Sequence, residues 1–128
     1  MLVDPVRRYI TRRSFTQLES ELQFYERSID LYGFSRKLGL TVAIELKLFK
    51  WKRAIKQALL YQLCADLVYV AIPKESLKRV DLSQLQAAGI GLIGVSIDRC
   101  SEIISPVTSS LVRRHYREFY LDYLDRRA

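Results

Sequence analysis

The spacing of apolar positions changes several times along the chain, and each change marks an element. DPVRRYITRR reads as a short helix with Pro5 in its first turn. Ser14 and Gln17 then match a capping box, and Phe15, Leu18, Leu22 and Tyr25 recur at helical spacing, which predicts a helix from Ser14 to about Arg27. SIDLYGF alternates as a strand does, SRKLG turns, and LTVAIELKLF returns as the second strand of a hairpin. From Lys50 to Leu63 the period is helical, with Trp51, Ala54, Ile55, Ala58 and Leu59 as the buried stripe and Lys50, Arg53, Gln57 and Tyr61 on a separate one. ADLVYVAIP, ended by Pro73, suits an internal strand, and SLKRVDLSQLQAAG predicts a helix with Gly89 just past its end. IGLIGVSI and SEIISP predict two strands joined by a turn at Asp98, Arg99 and Cys100, and residues 107–125 close the chain as a tyrosine-rich helix.

This order implies an α/β domain, a central mixed β-sheet of about five strands with helices on both faces. With no internal repeat, low-complexity tract or Pro/Gly-rich linker, residues 1–128 read as a single domain.

The second hairpin strand breaks the usual pattern. Val42, Ile44, Leu46 and Leu48 share one face and Ala43, Glu45 and Lys47 the other, so one face is expected in the core and the other carries two opposite charges at the sheet surface. Holding such a pair partly out of water costs several kcal/mol per ion unless something binds there.

Charge narrows what that something is. The formal net charge is +7 and the sequence pI about 9.6, which points to a polyanionic partner. Between Arg7 and Lys56 twelve Lys or Arg stand against five Asp or Glu, so the half that contains the unusual strand carries the excess. Composition removes other classes. His115 is the only histidine, which excludes a histidine cluster, and Cys64 and Cys100 have neither metal-ligand spacing nor the density of a secreted disulfide scaffold. No apolar run reaches membrane-span length and the N-terminal residues lack a signal-peptide core, so a soluble, intracellular, cytoplasmic protein is expected, with no membrane partner.

Asp30 lies in the preceding strand between Ile29 and Leu31. A turn near Arg36 to Gly39 brings its carboxylate beside Glu45 and Lys47. Two carboxylates and a lysine then converge, a set that suits a divalent cation completing its shell with water and phosphate oxygens.

The pattern D-x14-E-x-K on a hairpin resembles the PD-(D/E)XK nuclease superfamily, of restriction-endonuclease-like fold, over roughly residues 14–105. IDLYGF, AIELK, the helix with Gln57 and the strand LVYVAIP carry the likeness, although Ile29 stands where many members have proline. The resemblance implies a restriction-endonuclease-like core in which Asp30, Glu45 and the Leu46 backbone carbonyl hold Mg²⁺ or Mn²⁺ and Lys47 orients or activates the attacking water. Gln57 and Tyr61 form a Q-x-x-x-Y pair like that of the recombination-exonuclease branch, with Gln57 at the catalytic centre and Tyr61 toward DNA. Glu19 or Glu21, on the predicted first helix, fills the place of the additional glutamate that such sites often have. Arg36, Lys37, Lys50 and Arg53 join Tyr61 as expected nucleic-acid contacts, and the runs RRYITRR and KWKR would meet phosphates if they lie on the side of the cleft.

The function so implied is Mg²⁺-dependent hydrolysis of DNA phosphodiesters. In the absence of a sequence-reading module, structure-selective cutting of junction or branched DNA, as by a Holliday-junction resolvase, is favoured over site-specific restriction. The alternatives are a catalytically inactive nuclease-like nucleic-acid-binding protein and a protein-interaction module that uses the aromatic tail LVRRHYREFYLDYL. That tail suits docking on the core or on a second copy, and a homodimer or a larger nucleic-acid-processing complex would suit a two-strand substrate.

Overall fold

A computed structural model describes residues 3–97 and 99–127. In chain order the elements are α1 (Val3–Arg12), β1 (Gln17–Phe24), β2 (Arg27–Ser35), β3 (Leu40–Leu46), α2 (Trp51–Tyr61), β4 (Leu67–Pro73), a 3₁₀ segment (Lys74–Arg79), α3 (Leu82–Ala88), β5 (Gly91–Val95), β6 (Cys100–Ile104) and α4 (Arg114–Arg127). The six strands form one open sheet in sequential order, β1 to β6. β1/β2, β2/β3 and β5/β6 pair antiparallel, whereas β3/β4 and β4/β5 pair parallel with helical connections between them.

Helices cover both faces, as the order of elements implied. On one face Val6 and Ile10 of α1, with Phe15, pack against Leu31, Val42, Ile44, Tyr69, Ala71 and Ile93. On the other, Ala54, Ile55 and Ala58 of α2, Leu85 of α3, and Tyr120 and Leu124 of α4 pack against Tyr32, Ala43, Val68, Val70, Ile72 and Leu92. Because β3 and β4 lie between these layers, their sequences are nearly continuous apolar runs.

The sheet has one strand more than expected, because residues 17–24 form β1 rather than part of a helix. QLESELQF satisfies two periods at once: Leu18, Leu22 and Phe24 also alternate, and pairing with β2 decides between them. Ser14 has a φ of 80°, so it turns the chain after α1 in a left-handed conformation, whereas an N-cap needs an extended one. The helix predicted over 76–88 is divided at Asp81, whose extended backbone and side-chain oxygen, accepting from the Gln84 N–H, start α3 afresh. The closing helix begins at Arg114, not 107. Its expected first turns run extended, with Val107 N–H bonded to Gly89 O, Ser109 N–H to Asp66 O and Arg113 N–H to Leu63 O. Leu59, expected in the core, is 43% exposed. In the predicted β5–β6 turn, Asp98 lies outside the described residues, and Cys100 opens β6.

Two contacts fix the frame. Gly91 allows β5 to lie against the Tyr69 ring, since a Cβ there would stand 2.7 Å from Cδ1. Asp66 Oδ2 accepts from the Thr41 N–H (2.8 Å), the Thr41 hydroxyl (2.9 Å) and Arg117 Nε (3.1 Å), while Arg117 Nη2 donates to Gly39 O at 2.9 Å. α4 is thereby tied to the β2–β3 turn.

Candidate functional site

β2 and β3 pair from Ser35 opposite Leu40 to Leu31 opposite Ile44. Continued by one residue, this register sets Asp30 opposite Glu45. The next rung would join Ile29 and Leu46, but the Leu46 N–H bonds instead to Asp30 Oδ2 at 2.7 Å. The Asp30 side chain therefore enters the sheet where the two strands part. In a hydrogen-bonded antiparallel pair a residue presents its N–H and C=O to the same neighbour, so the Leu46 carbonyl also belongs to the Asp30 side.

Glu45 is on the Ala43 face of β3, as alternation requires, but that face is no sheet surface. It lies beneath α2, and Glu45 is 2% exposed. Three groups surround its carboxylate. Tyr61 donates its hydroxyl to Oε1 at 2.8 Å, Lys47 Nζ stands 3.5 Å from Oε2, and Gln57, with its amide nitrogen turned to the carboxylate, donates to Oε2 at 2.7 Å. In that orientation the Gln57 oxygen accepts from Arg27 Nη1 at 3.2 Å. The Tyr61 hydroxyl is also 3.2 Å from the Ser28 carbonyl, which joins the start of β2 to the same corner.

Burial, and then the charge of Asp30, push the Glu45 carboxyl up to about 7 against the opposing pull of Tyr61 and Lys47. Asp30 is also raised, first by burial, with the Leu46 N–H and Lys47 working against it and Glu21 adding to it. The Tyr61 phenol is held far above its ordinary value by burial and by Glu45. In this low-dielectric corner burial disfavours ionisation of both acids and the charge of Asp30 adds to it at Glu45; a cation between them would reverse that preference.

The donors fit a hard divalent cation, since the two acids and the Leu46 carbonyl offer only oxygen. Among the described residues no group of three or more His, Cys, Asp or Glu is placed to hold a metal, so Mg²⁺ or Mn²⁺ here would take its remaining ligands from water and substrate phosphate.

Asp30, Glu45, Lys47 and Gln57 thus come together, while other expected site residues stand elsewhere. Glu19 and Glu21 lie on β1, not on a helix. Glu19 Oε2 is 3.4 Å from Arg127 Nε. Glu21 stands across from Asp30, between the pairs Ser20/Leu31 and Leu22/Ile29, with a left-handed φ of 57°. Tyr61, expected to face DNA, is 0% exposed and spends its hydroxyl on Glu45; its aromatic ring fills the core under α2, which a solvent-facing place would not allow. Arg36 and Lys37 lie in the β2–β3 turn, about 20 Å along the strands from Asp30, because the hairpin puts its turn and its acid pair at opposite ends. Lys50 and Arg53 are exposed at the start of α2. Arg7, Arg8 and Arg12 are on α1, across the sheet from α2, and Arg13, just past its end, has Nη2 3.5 Å from Glu102 Oε2. Arg27 is the participant that no motif marked; its one signal was a basic side chain opening the strand that bears Asp30.

No protein-family model matches the chain, and no curated protein matches it. Among solved structures, the fold is similar to that of a protein of unknown function from Silicibacter pomeroyi, with a TM-score of 0.74 and 17% identity over 98% of this chain and 82% of that one. At that identity the likeness is one of fold alone.

Proposed function

We propose that the chain is a metal-dependent nuclease of the PD-(D/E)XK kind, acting on DNA phosphodiesters and selective for branched or junction structures. One observation carries this: Asp30 and Glu45 face each other where β2 and β3 separate, with Lys47 Nζ 3.5 Å from the Glu45 carboxylate. Mg²⁺ bound there would polarise a phosphate oxygen and lower the pKa of a water molecule. Asp30 and Glu45 would hold the ion, and the Lys47 ammonium would set positive charge beside the phosphate as negative charge builds on it. Gln57 and Tyr61 act through Glu45: their hydrogen bonds fix the carboxylate in one orientation.

The test is incubation with linear, circular and branched DNA, with Mg²⁺, Mn²⁺ or EDTA. Cleavage should require metal and should fall at least about 10³-fold in Asp30→Asn and Lys47→Ala. Cleavage that persists undiminished in both variants removes the assignment.

A second reading, a nucleic-acid-binding protein of this fold without turnover, is favoured by the saturation of Glu45, whose two oxygens are already taken by Tyr61, Gln57 and Lys47. Thermal denaturation with and without Mg²⁺ separates the two. A stabilisation of the wild type that Asp30→Asn abolishes supports the nuclease, and DNA binding indifferent to metal supports the second.

A further inference from the structure

The exit of β3 carries chemistry that the acid pair does not use. Between Leu46 and Trp51 the chain turns two large apolar side chains outward, Leu48 at 55% and Phe49 at 75% exposure. They rim a recess of about 100 Å³ whose wall includes Lys47, Lys50, Trp51 and Arg79. Lys50 is held with φ 57° and ψ 48°, a conformation that a non-glycine residue adopts against its preference. The Lys52 ammonium stands 5.9 Å from the Trp51 ring centroid, and among the described residues no acidic side chain lines the recess. Apolar rings and cations therefore share one small concavity that opens beside Lys47.

An apolar partner alone would bury Lys50 and Arg79 without a counter-charge, and a bare anion would leave Phe49 in water. A nucleotide answers both, because its base has a flat face to stack and its phosphate is anionic. We propose that this recess seats an unpaired nucleotide next to the scissile phosphodiester, its base against Phe49 and Trp51 and its phosphate between Lys50 and Arg79. A recess of about 100 Å³ is on the scale of one base, so the substrate class is single-stranded, frayed or branched nucleic acid. The place beside a scissile phosphodiester rests on the nuclease proposal; the binding chemistry of the recess stands apart from it.

Trp51 is the single tryptophan of the chain, so its fluorescence reports directly on the recess. Titrations with a deoxythymidine dodecamer, in EDTA and again in Ca²⁺, should quench Trp51 and show binding at least about fivefold tighter than that of a blunt duplex of the same length. Phe49→Ala, at an exposed position, should keep the wild-type circular dichroism and bind the dodecamer about tenfold more weakly. Lys50→Ala combined with Arg79→Ala should flatten the slope of log affinity against log salt by roughly one to two. Equal dodecamer affinity in wild type and Phe49→Ala, an unquenched Trp51, or stronger quenching by poly-glutamate overturns the proposal. Metal-dependent cleavage whose strand preference ignores Phe49→Ala leaves the nuclease standing and removes the recess. Quenching that depends on Phe49, without cleavage under any metal, supports the recess and removes the nuclease.

Discussion

Glu45 is a carboxylate that the fold covers and then crowds with Asp30, and the pH dependence of stability follows from that. With its folded-state pKa pushed up to about 7 from an ordinary 4.5, the folded chain keeps a proton that the unfolded chain has released in the interval between. The contribution of this group is thus most favourable below about pH 4.5, declines as pH rises, and reaches its full penalty above about 7. A shift of that size is worth at most about 3 kcal/mol. In EDTA, Glu45→Gln should remove most of this decline and be more stable than the wild type at pH 8, as read from melting temperatures between pH 4.5 and 8. Mg²⁺ should stabilise the wild type more at pH 8 than at pH 5, since ion and proton compete for the same oxygens. Tyr61→Phe removes the donor on Oε1, so the carboxyl should rise further and stability should fall by about 1–2 kcal/mol.

Among the elements, the parting of β2 and β3 positions the site, and the Asp66 cluster holds the other end of that hairpin closed. Asp66→Ala would leave the Thr41 N–H and Arg117 Nε without their acceptor, and a loss of about 2–4 kcal/mol in chemical denaturation is expected, with α4 loosening first. The hairpin, α2 and the acid pair were legible in the sequence because alternation and helical period are local, and because a two-residue spacing on one strand fixes Glu45 and Lys47 to the same face. β1 was not legible, since Leu18, Leu22 and their neighbours satisfy both periods and only the partner strand chooses. The place of Tyr61 was hidden for a related reason: the helical period put it on a stripe apart from the apolar one, and only the docking of α2 over Glu45 turns that stripe's end inward.

Over the whole molecule, the basic half of the sequence is not one basic surface. The arginines of α1 lie across the sheet from the start of α2, and Arg36 and Lys37 sit at the turn remote from Asp30. Neutralising Arg36 and Lys37, or Arg7 and Arg8, should therefore leave oligonucleotide affinity within about twofold, while loss of Lys50 and Arg79 weakens it and its salt dependence. Anisotropy titrations at several salt concentrations would show the contrast.

β1 is an outer strand, hydrogen-bonded to β2 alone. A flat strand in that position is a template onto which a neighbouring molecule adds its own, the first step toward fibrils. The left-handed backbone at Glu21 departs from a flat strand halfway along, and its exposed carboxylate sets a charge at that point. The residue that crowds Asp30 from across the strand pair thus also stands where an added strand would have to pair.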